Sequence, residues 1–147
     1  MADDPALALY VAVARLVRSL RQEVPGSAVG PGGLSVLVAL DGQGDGQGPQ
    51  RIGTLAETIG VTAPSMTRIV NALEAEGLVV RRADPLDGRA QVVAATPEGR
   101  RLVGSGREAK LAALRRRLAE LPPADRERVE AALPALEILG GAVLDGR

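Results

Sequence analysis

Leu55-Ala56-Glu57-Thr58-Ile59-Gly60-Val61-Thr62-Ala63-Pro64-Ser65-Met66-Thr67-Arg68-Ile69-Val70-Asn71-Ala72-Leu73-Glu74-Ala75-Glu76-Gly77 is the stretch on which the fold turns. Its apolar residues recur at helical spacing on both sides of a break at Gly60. The first half reads as a short helix, 54–59, stopped by Gly60 just past its end. Thr62 is a good N-cap for the second half, and Pro64 is tolerated in a first helical turn. That second helix runs to Glu76 and stops at Gly77, with Ile59, Met66, Ile69, Val70 and Leu73 as its expected core. Ala56 stands four residues before Gly60, and a side chain that small lets two helices cross closely. This is the helix-turn-helix pattern, whose second helix enters the DNA major groove with its N-terminus leading.

Beyond Gly77 the period shortens. Residues 78–82 and 90–95 read as two strands around a turn-rich tip, Ala83-Asp84-Pro85-Leu86-Asp87-Gly88-Arg89. A helix pair followed by a hairpin makes a winged helix. Upstream, 25–33 is rich in breakers and reads as a loop, and 34–40 as a short apolar helix. Residues 41–50 read as a flexible Gly-rich linker. Its Asp-x-Gly-x-Asp look lacks the carboxylates and closing Glu of a calcium loop, and Arg51 follows instead.

The flanks are helical. Residues 5–22 carry one stripe of Leu7, Tyr10, Ala14 and Val17 and another of Leu9, Val13, Leu16 and Leu20. A face that wide docks either on its own domain or on a second subunit, and Tyr10 reads as core. Thr96 can cap a long helix over 97–120, weakened by Gly104 and Gly106, in which Leu111, Leu114 and Leu118 lead to Leu121 in a coiled-coil-like seam. A last helix is expected over 125–143, with Val129, Leu133, Leu136 and Gly140 on one stripe and a kink at Pro134. The domain reading is a dimerisation helix in 1–28, a winged helix in 29–96 and further dimerisation helices in 97–147. The fold class is mainly α with a small β-hairpin wing.

Composition excludes much. The 147 residues include no Cys and no His, which removes disulfides, cysteine redox sensing, the usual zinc sites and a His-based triad. Tyr10 is the sole aromatic residue, against single-strand nucleic-acid binding by base stacking. No spacing of carboxylates, nucleophiles or glycines matches a catalytic site, so the chain does not read as an enzyme. The first apolar stretch is broken by Arg15 and Arg18 and suits neither a signal peptide nor a membrane span, which points to the cytoplasm. Net charge is +0 and gives a nucleic-acid partner no help. Even over 51–90, Arg51, Arg68, Arg81, Arg82 and Arg89 are matched by Glu57, Glu74, Glu76, Asp84 and Asp87.

The helix pair, together with Gly77-Leu78-Val79-x-Arg81, closely resembles the recognition region of the multiple-antibiotic-resistance-regulator (MarR) family. Asp84-x-x-Asp87-x-Arg89 is similar to that family's wing tip. Thr96-Pro97-Glu98-Gly99 and Leu121-Pro122-Pro123-x-Asp125-Arg126 resemble the beginnings of its two C-terminal helices. The resemblance implies a homodimeric winged-helix repressor on a palindromic double-stranded DNA operator. It places Thr62, Ala63, Pro64, Ser65, Thr67, Arg68 and Asn71 at the recognition helix and Arg81, Asp87 and Arg89 on the wing. Ser65 and Thr67 can donate to phosphates or base edges, and Arg68 can take guanine or clamp a phosphate. Arg89 would enter the minor groove, with Asp87 orienting it or forming only a local ion pair. Asn71 reads equally as an exposed helix residue, and Arg81 and Arg82 as phosphate contacts or strand-end charges. In the family, small phenolic or aromatic effectors often bind between the dimerisation helices and the winged domain; no residue here names one. No cofactor or metal is expected. The competing reading is a winged-helix protein-interaction module that has lost DNA binding. The long Gly-rich linker, Gly32 with Gly33, and Pro134 depart from the family pattern and bear on the spacing of the two DNA-binding lobes.

Overall fold

The computed structural model describes residues 4–24, 29–42 and 47–141. Among the described residues, six helices and a hairpin follow one another: α1 (Pro5–Arg21), α2 (Pro31–Leu40), α3 (Ile52–Ile59), α4 (Ala63–Ala75), β1 (Val79–Ala83), β2 (Gln91–Ala95), α5 (Pro97–Glu120) and α6 (Pro123–Leu139). The core gathers Val36, Leu37 and Leu40 of α2, Leu55 and Ala56 of α3, Met66, Val70 and Leu73 of α4, and the wing base at Leu78, Val79, Val93 and Ala95. Val103 brings α5 onto it, and Ile59 and Ile69, expected in the core, pack half-buried at its edge.

α2 begins three residues earlier than the breakers suggested. Pro31 occupies its first turn, and Gly32 and Gly33 are helical. The glycines are a packing requirement. A Cβ at Gly33 would stand 3.3 Å from Leu73 Cδ2 and 3.2 Å from Val29 Cβ, and one at Gly32 would stand 3.3 Å from Ile69 Cδ1. Small residues let α2 lie close against α4, which outweighs their poor helix propensity. Residues 25–28 of the expected loop lie outside the described residues. α3 likewise starts two residues early, at Ile52.

The 41–50 segment is not a free linker at its ends. Gln50 pairs with Val93, its N–H donating to the Val93 carbonyl at 3.0 Å and its carbonyl accepting the Val93 N–H at 2.7 Å. At the other end Asp41 is buried and meets Arg107 Nη2 at 3.1 Å, pinning α2 to α5. Residues 43–46, which include part of the calcium-like pattern, lie outside the described residues.

β1 and β2 pair antiparallel from Val79 with Ala95 to Ala83 with Gln91. The wing base, the exit from α4 and the start of α5 meet at Thr96. Its hydroxyl donates to the Gly77 carbonyl at 2.7 Å and accepts the Gly99 N–H at 3.1 Å, capping α5, while its N–H donates to the Leu78 carbonyl at 3.0 Å. α5 is unbroken through Gly104 and Gly106, the latter buried beside Val24. Within the expected leucine seam, Leu111 is exposed and Leu114, Leu118 and Leu121 are half-buried.

α1 is tied to α5 by charge: Glu23 meets Arg116 at 3.2 Å and Arg117 at 3.0 Å, and Arg117 also donates to Ser19 at 2.7 Å. Yet α1 buries no residue, and neither does α6. Tyr10 is 72% exposed, so it is not part of this chain's core; its side of α1 is left uncovered by the described residues. α6 opens at Pro123, continues as one helix through Pro134 and ends at Leu139; residues 142 and 143 of its expected span lie outside the described residues.

A Cβ built at Gly99 would overlap the Leu78 carbonyl oxygen, a backbone atom that cannot swing aside. Gly99→Ala is therefore expected to destabilise the protein by about 2–3 kcal/mol in urea unfolding at fixed concentration. Gly104→Ala, with nothing within 4 Å, should stabilise α5 by about 0.5–1 kcal/mol. Equal effects would contradict the close approach of α5 to the wing base.

Candidate nucleic-acid interface

The site is built on a tight turn. Gly60 carries φ +78°, in the left-handed region, and the N–H groups of Gly60 and Val61 both close on the Ala56 carbonyl, at 2.9 and 3.0 Å. Two residues later Thr62 opens α4. Its hydroxyl accepts the Ser65 N–H at 3.4 Å and donates to Ser65 Oγ at 2.9 Å. Since Ser65 Oγ receives that proton, its own hydroxyl proton remains available outward.

Met66, Val70 and Leu73 face the core, which turns Pro64, Thr67, Arg68 and Asn71 to solvent, with Thr62 and Ala63 exposed at the leading end. The Thr67 hydroxyl donates to the Ala63 carbonyl at 3.0 Å. In this arrangement back-bonding within the helix occupies the proton and leaves the oxygen's lone pairs to accept. Asn71 Oδ1 accepts from Arg81 Nη2 at 2.6 Å, and Arg81 also pairs with Glu74. Asn71 therefore keeps its amide donors free, and Arg81 links α4 to β1 instead of standing as a loose strand-end charge. Arg68 and Arg82 are exposed, and their guanidiniums make no hydrogen bond or ion pair among the described residues.

The wing tip has an anchor that the sequence did not reveal. Arg51, immediately before α3, donates through Nε to Asp84 Oδ2 at 2.7 Å and approaches the same oxygen through Nη2 at 2.6 Å. Its Nη2 also lies 3.8 Å from Asp87. The buried Asp84 carboxylate accepts the Leu86 N–H at 2.9 Å as well. That backbone donor, followed by Arg51, holds the Asp84 carboxyl below the usual carboxylate range, against the smaller opposing effect of desolvation. The alternative of a local Asp87–Arg89 ion pair is not seen among the described residues: Asp87 accepts the Arg89 backbone N–H at 3.1 Å and faces Arg51. A short Asx turn takes the backbone donor and leaves the Arg89 guanidinium exposed and unpaired among the described residues.

These pairings resolve the neutral charge of the segment. Arg51 and Arg81 occupy Asp84, Asp87 and Glu74. Among the described residues, Arg68, Arg82 and Arg89 remain unpaired on the surface of α4 and the wing, while the unpaired acids, Glu57 on α3 and Glu76 at the C-terminal end of α4, lie away from the leading end of the recognition helix.

Such a fold, with a capped helix presenting a polar row beside a cationic hairpin, is a winged helix-turn-helix, the class of fold found in DNA-binding transcriptional regulators. The MarR family profile matches residues 34–90. The chain is 37% identical over 124 residues to an uncharacterized HTH-type transcriptional regulator of Mycobacterium bovis, a match covering 84% of each chain. A Pseudomonas aeruginosa structure described as a transcriptional regulator aligns with a TM-score of 0.77 at 32% identity over 92% of both chains. A Mycobacterium tuberculosis structure aligns at 0.79 with 26% identity over 99% of this chain and 100% of the other. The chain belongs to the MarR family.

Because the folded Asp84 value lies below the unfolded one, its contribution to wing stability is whole above the ordinary aspartate pKa of about 3.9 and is lost as pH falls through the folded value. Amide exchange at Leu86 should stay protected down to about pH 4 and accelerate only below that range. In Arg51→Ala the loss should move to higher pH. Identical profiles would show that Arg51 does not hold the wing.

Proposed function

We propose that the protein is a sequence-specific double-stranded DNA-binding repressor that acts in the cytoplasm as a homodimer on a palindromic operator. The observation that carries this is the outward row of α4: Ser65 with a free proton, Arg68 with a free guanidinium, and Asn71 with free amide donors, all held by a helix capped at Thr62. Arg68 can fork onto guanine O6 and N7 or clamp a phosphate. Thr67 accepts from base amino groups, and Ala63 and Pro64 offer apolar contact at the leading turn. Arg89 reaches into the minor groove, with Arg82 on the adjoining backbone. Asp87 shapes the tip, and Arg81 positions Asn71.

The dimer reading rests on α1 and α6, which have no fully buried residue in their own chain while exposing Leu7, Tyr10, Val13, Leu133, Ile138 and Leu139. Apolar area of that extent calls for a partner, and a second copy supplies a self-complementary one. Two copies also double a reading frame too short for operator specificity. Residues 1–28 and 97–147 then act as the dimer base and 29–96 as the DNA-binding lobe.

The effector reading is supported by a cleft of about 600 Å³ where the end of α1, the start of α2 and α5 meet, walled by Val24, Val29, Leu34 and Val38 with Arg21 and Lys110 at its rim. Apolar walls with cationic rims suit a small aromatic carboxylate or phenolate. Lodged between base and lobe, it would change lobe spacing.

Gel-shift titration on duplexes selected from a random library is expected to give affinity that falls steeply with salt. Arg89→Ala should lower the log–log salt slope by about two, one contact per protomer. Arg68→Ala should cost at least tenfold, since each guanine fork contributes about 1–3 kcal/mol. Sedimentation at micromolar concentration should give twice the 15.1 kDa chain mass. A stable monomer, or no salt-sensitive binding to any duplex, would sink the proposal.

A further inference from the structure

Among the described residues, Leu86 is the most exposed large apolar residue, at 96%, above Tyr10 at 72% and Leu139 at 70%. Lone exposed leucines are common on protein surfaces and by themselves mean little. This one differs in how it is held and in what surrounds it. Its N–H is bonded to the Asp84 carboxylate at 2.9 Å, and Pro85 fixes the residue before it. Asp84 is in turn gripped by Arg51, the Asp87 N–H closes on the Asp84 carbonyl at 3.3 Å, and the Ala90 N–H closes on the Asp87 carbonyl at 2.9 Å. The tip is a pinned loop whose apolar side chain faces solvent with little backbone freedom left to lose on binding.

The tip is also cationic. Arg89 follows three residues later and Arg82 precedes on β1, both exposed and without a partner among the described residues. The two carboxylates between them, Asp84 and Asp87, are turned to Arg51 and to backbone N–H groups. An apolar side chain between free guanidiniums fits a polyanion with apolar walls. The DNA minor groove is such a surface: phosphates line its rims, and deoxyribose C–H groups and base edges line its interior. The tip is continuous along the chain with β1, which Arg81 ties to the DNA-reading helix α4.

We propose that Leu86 enters the minor groove beside Arg89 and supplies a salt-independent part of the affinity, through apolar contact with the groove walls. This rests on the reading that the wing tip meets the minor groove. Arg89 acts through charge and counterion release, so its contribution fades as salt rises. Leu86 releases no counterions, and its contribution persists. It also favours steps whose minor groove opens readily to an apolar side chain.

The experiment compares full-length wild type, Leu86→Ser, Leu86→Met and Arg89→Ala on a duplex selected by the wild type, titrated at low, intermediate and high salt. Leu86→Ser is expected to lose about tenfold in affinity at every salt concentration with the wild-type slope, from two partly buried leucines per dimer. Leu86→Met, of similar size, should stay within about twofold. Melting temperatures should be unchanged, because nothing in the fold covers Leu86. Wild-type affinity in Leu86→Ser would overturn the proposal while leaving DNA binding intact. A loss accompanied by a shallower slope would also overturn it, since that marks a displaced Arg89. If the wild type itself binds no duplex, the parent reading fails and this one with it.

Discussion

The turn at Gly60 constrains everything else in the molecule. Its left-handed backbone, φ +78°, is one that a residue with a Cβ adopts only at a cost of roughly 1–2 kcal/mol. It lets the chain reverse between Ile59 and Thr62 while two N–H groups share the Ala56 carbonyl. With Ala56 buried at the crossing, Leu55 joins Met66, Val70 and Leu73 in one core, and the opposite face of α4 is left exposed, with Arg81 holding Asn71 and Glu74 at its far end. That face is what a recognition helix requires: a fixed axis, a capped N-terminus and polar side chains free on one side. Gly32 and Gly33 complete the arrangement by letting α2 lie close behind α4.

Charge follows the same economy of placement. A chain of zero net charge cannot attract a polyanion in bulk, so its cations must be sorted. Buried or half-buried pairs take up the acids: Asp41 with Arg107, Asp84 with Arg51, Glu74 with Arg81. The first two join segments distant in sequence, and the third joins the consecutive elements α4 and β1. Because these pairs engage acidic groups within the fold, the Arg68, Arg82 and Arg89 guanidiniums stand on α4 and the wing in no ion pair among the described residues. Local arrangement, not total charge, shapes the field that DNA would meet.

Much of this was legible in the sequence, and the line between legible and hidden is physical. The helix-turn-helix and the wing were readable because their signals are local: periodicity, a Gly stop, a Thr cap and a Pro-Leu-Asp-Gly tip. The Thr62 cap, the Gly77 stop and the α5 span follow that reading closely. What stayed hidden depends on contacts across the fold. Arg51 and Asp84 lie 33 residues apart, Asp41 and Arg107 66 apart, and no spacing rule connects them. Gly32 and Gly33 read as breakers because only the packed partners, Ile69 and Leu73, reveal why they must be small. The bond from the Thr67 hydroxyl to the Ala63 carbonyl stayed hidden because it depends on a rotamer. Tyr10 looked like core because an apolar stripe does not say whether its cover comes from the same chain.

In the proposed homodimer, two copies of α4, carried on a shared base of α1 and α6, would read two half-sites on one face of a duplex. Hydroxyl-radical footprinting on a selected operator tests it most directly, because half-site separation reports the geometry of the base. The account predicts two equivalent protected segments related by a dyad, with centres about 10–10.5 base pairs apart or a multiple of that, and flanking minor-groove protection from the wings. A single protected segment, or protection with no dyad, would contradict it.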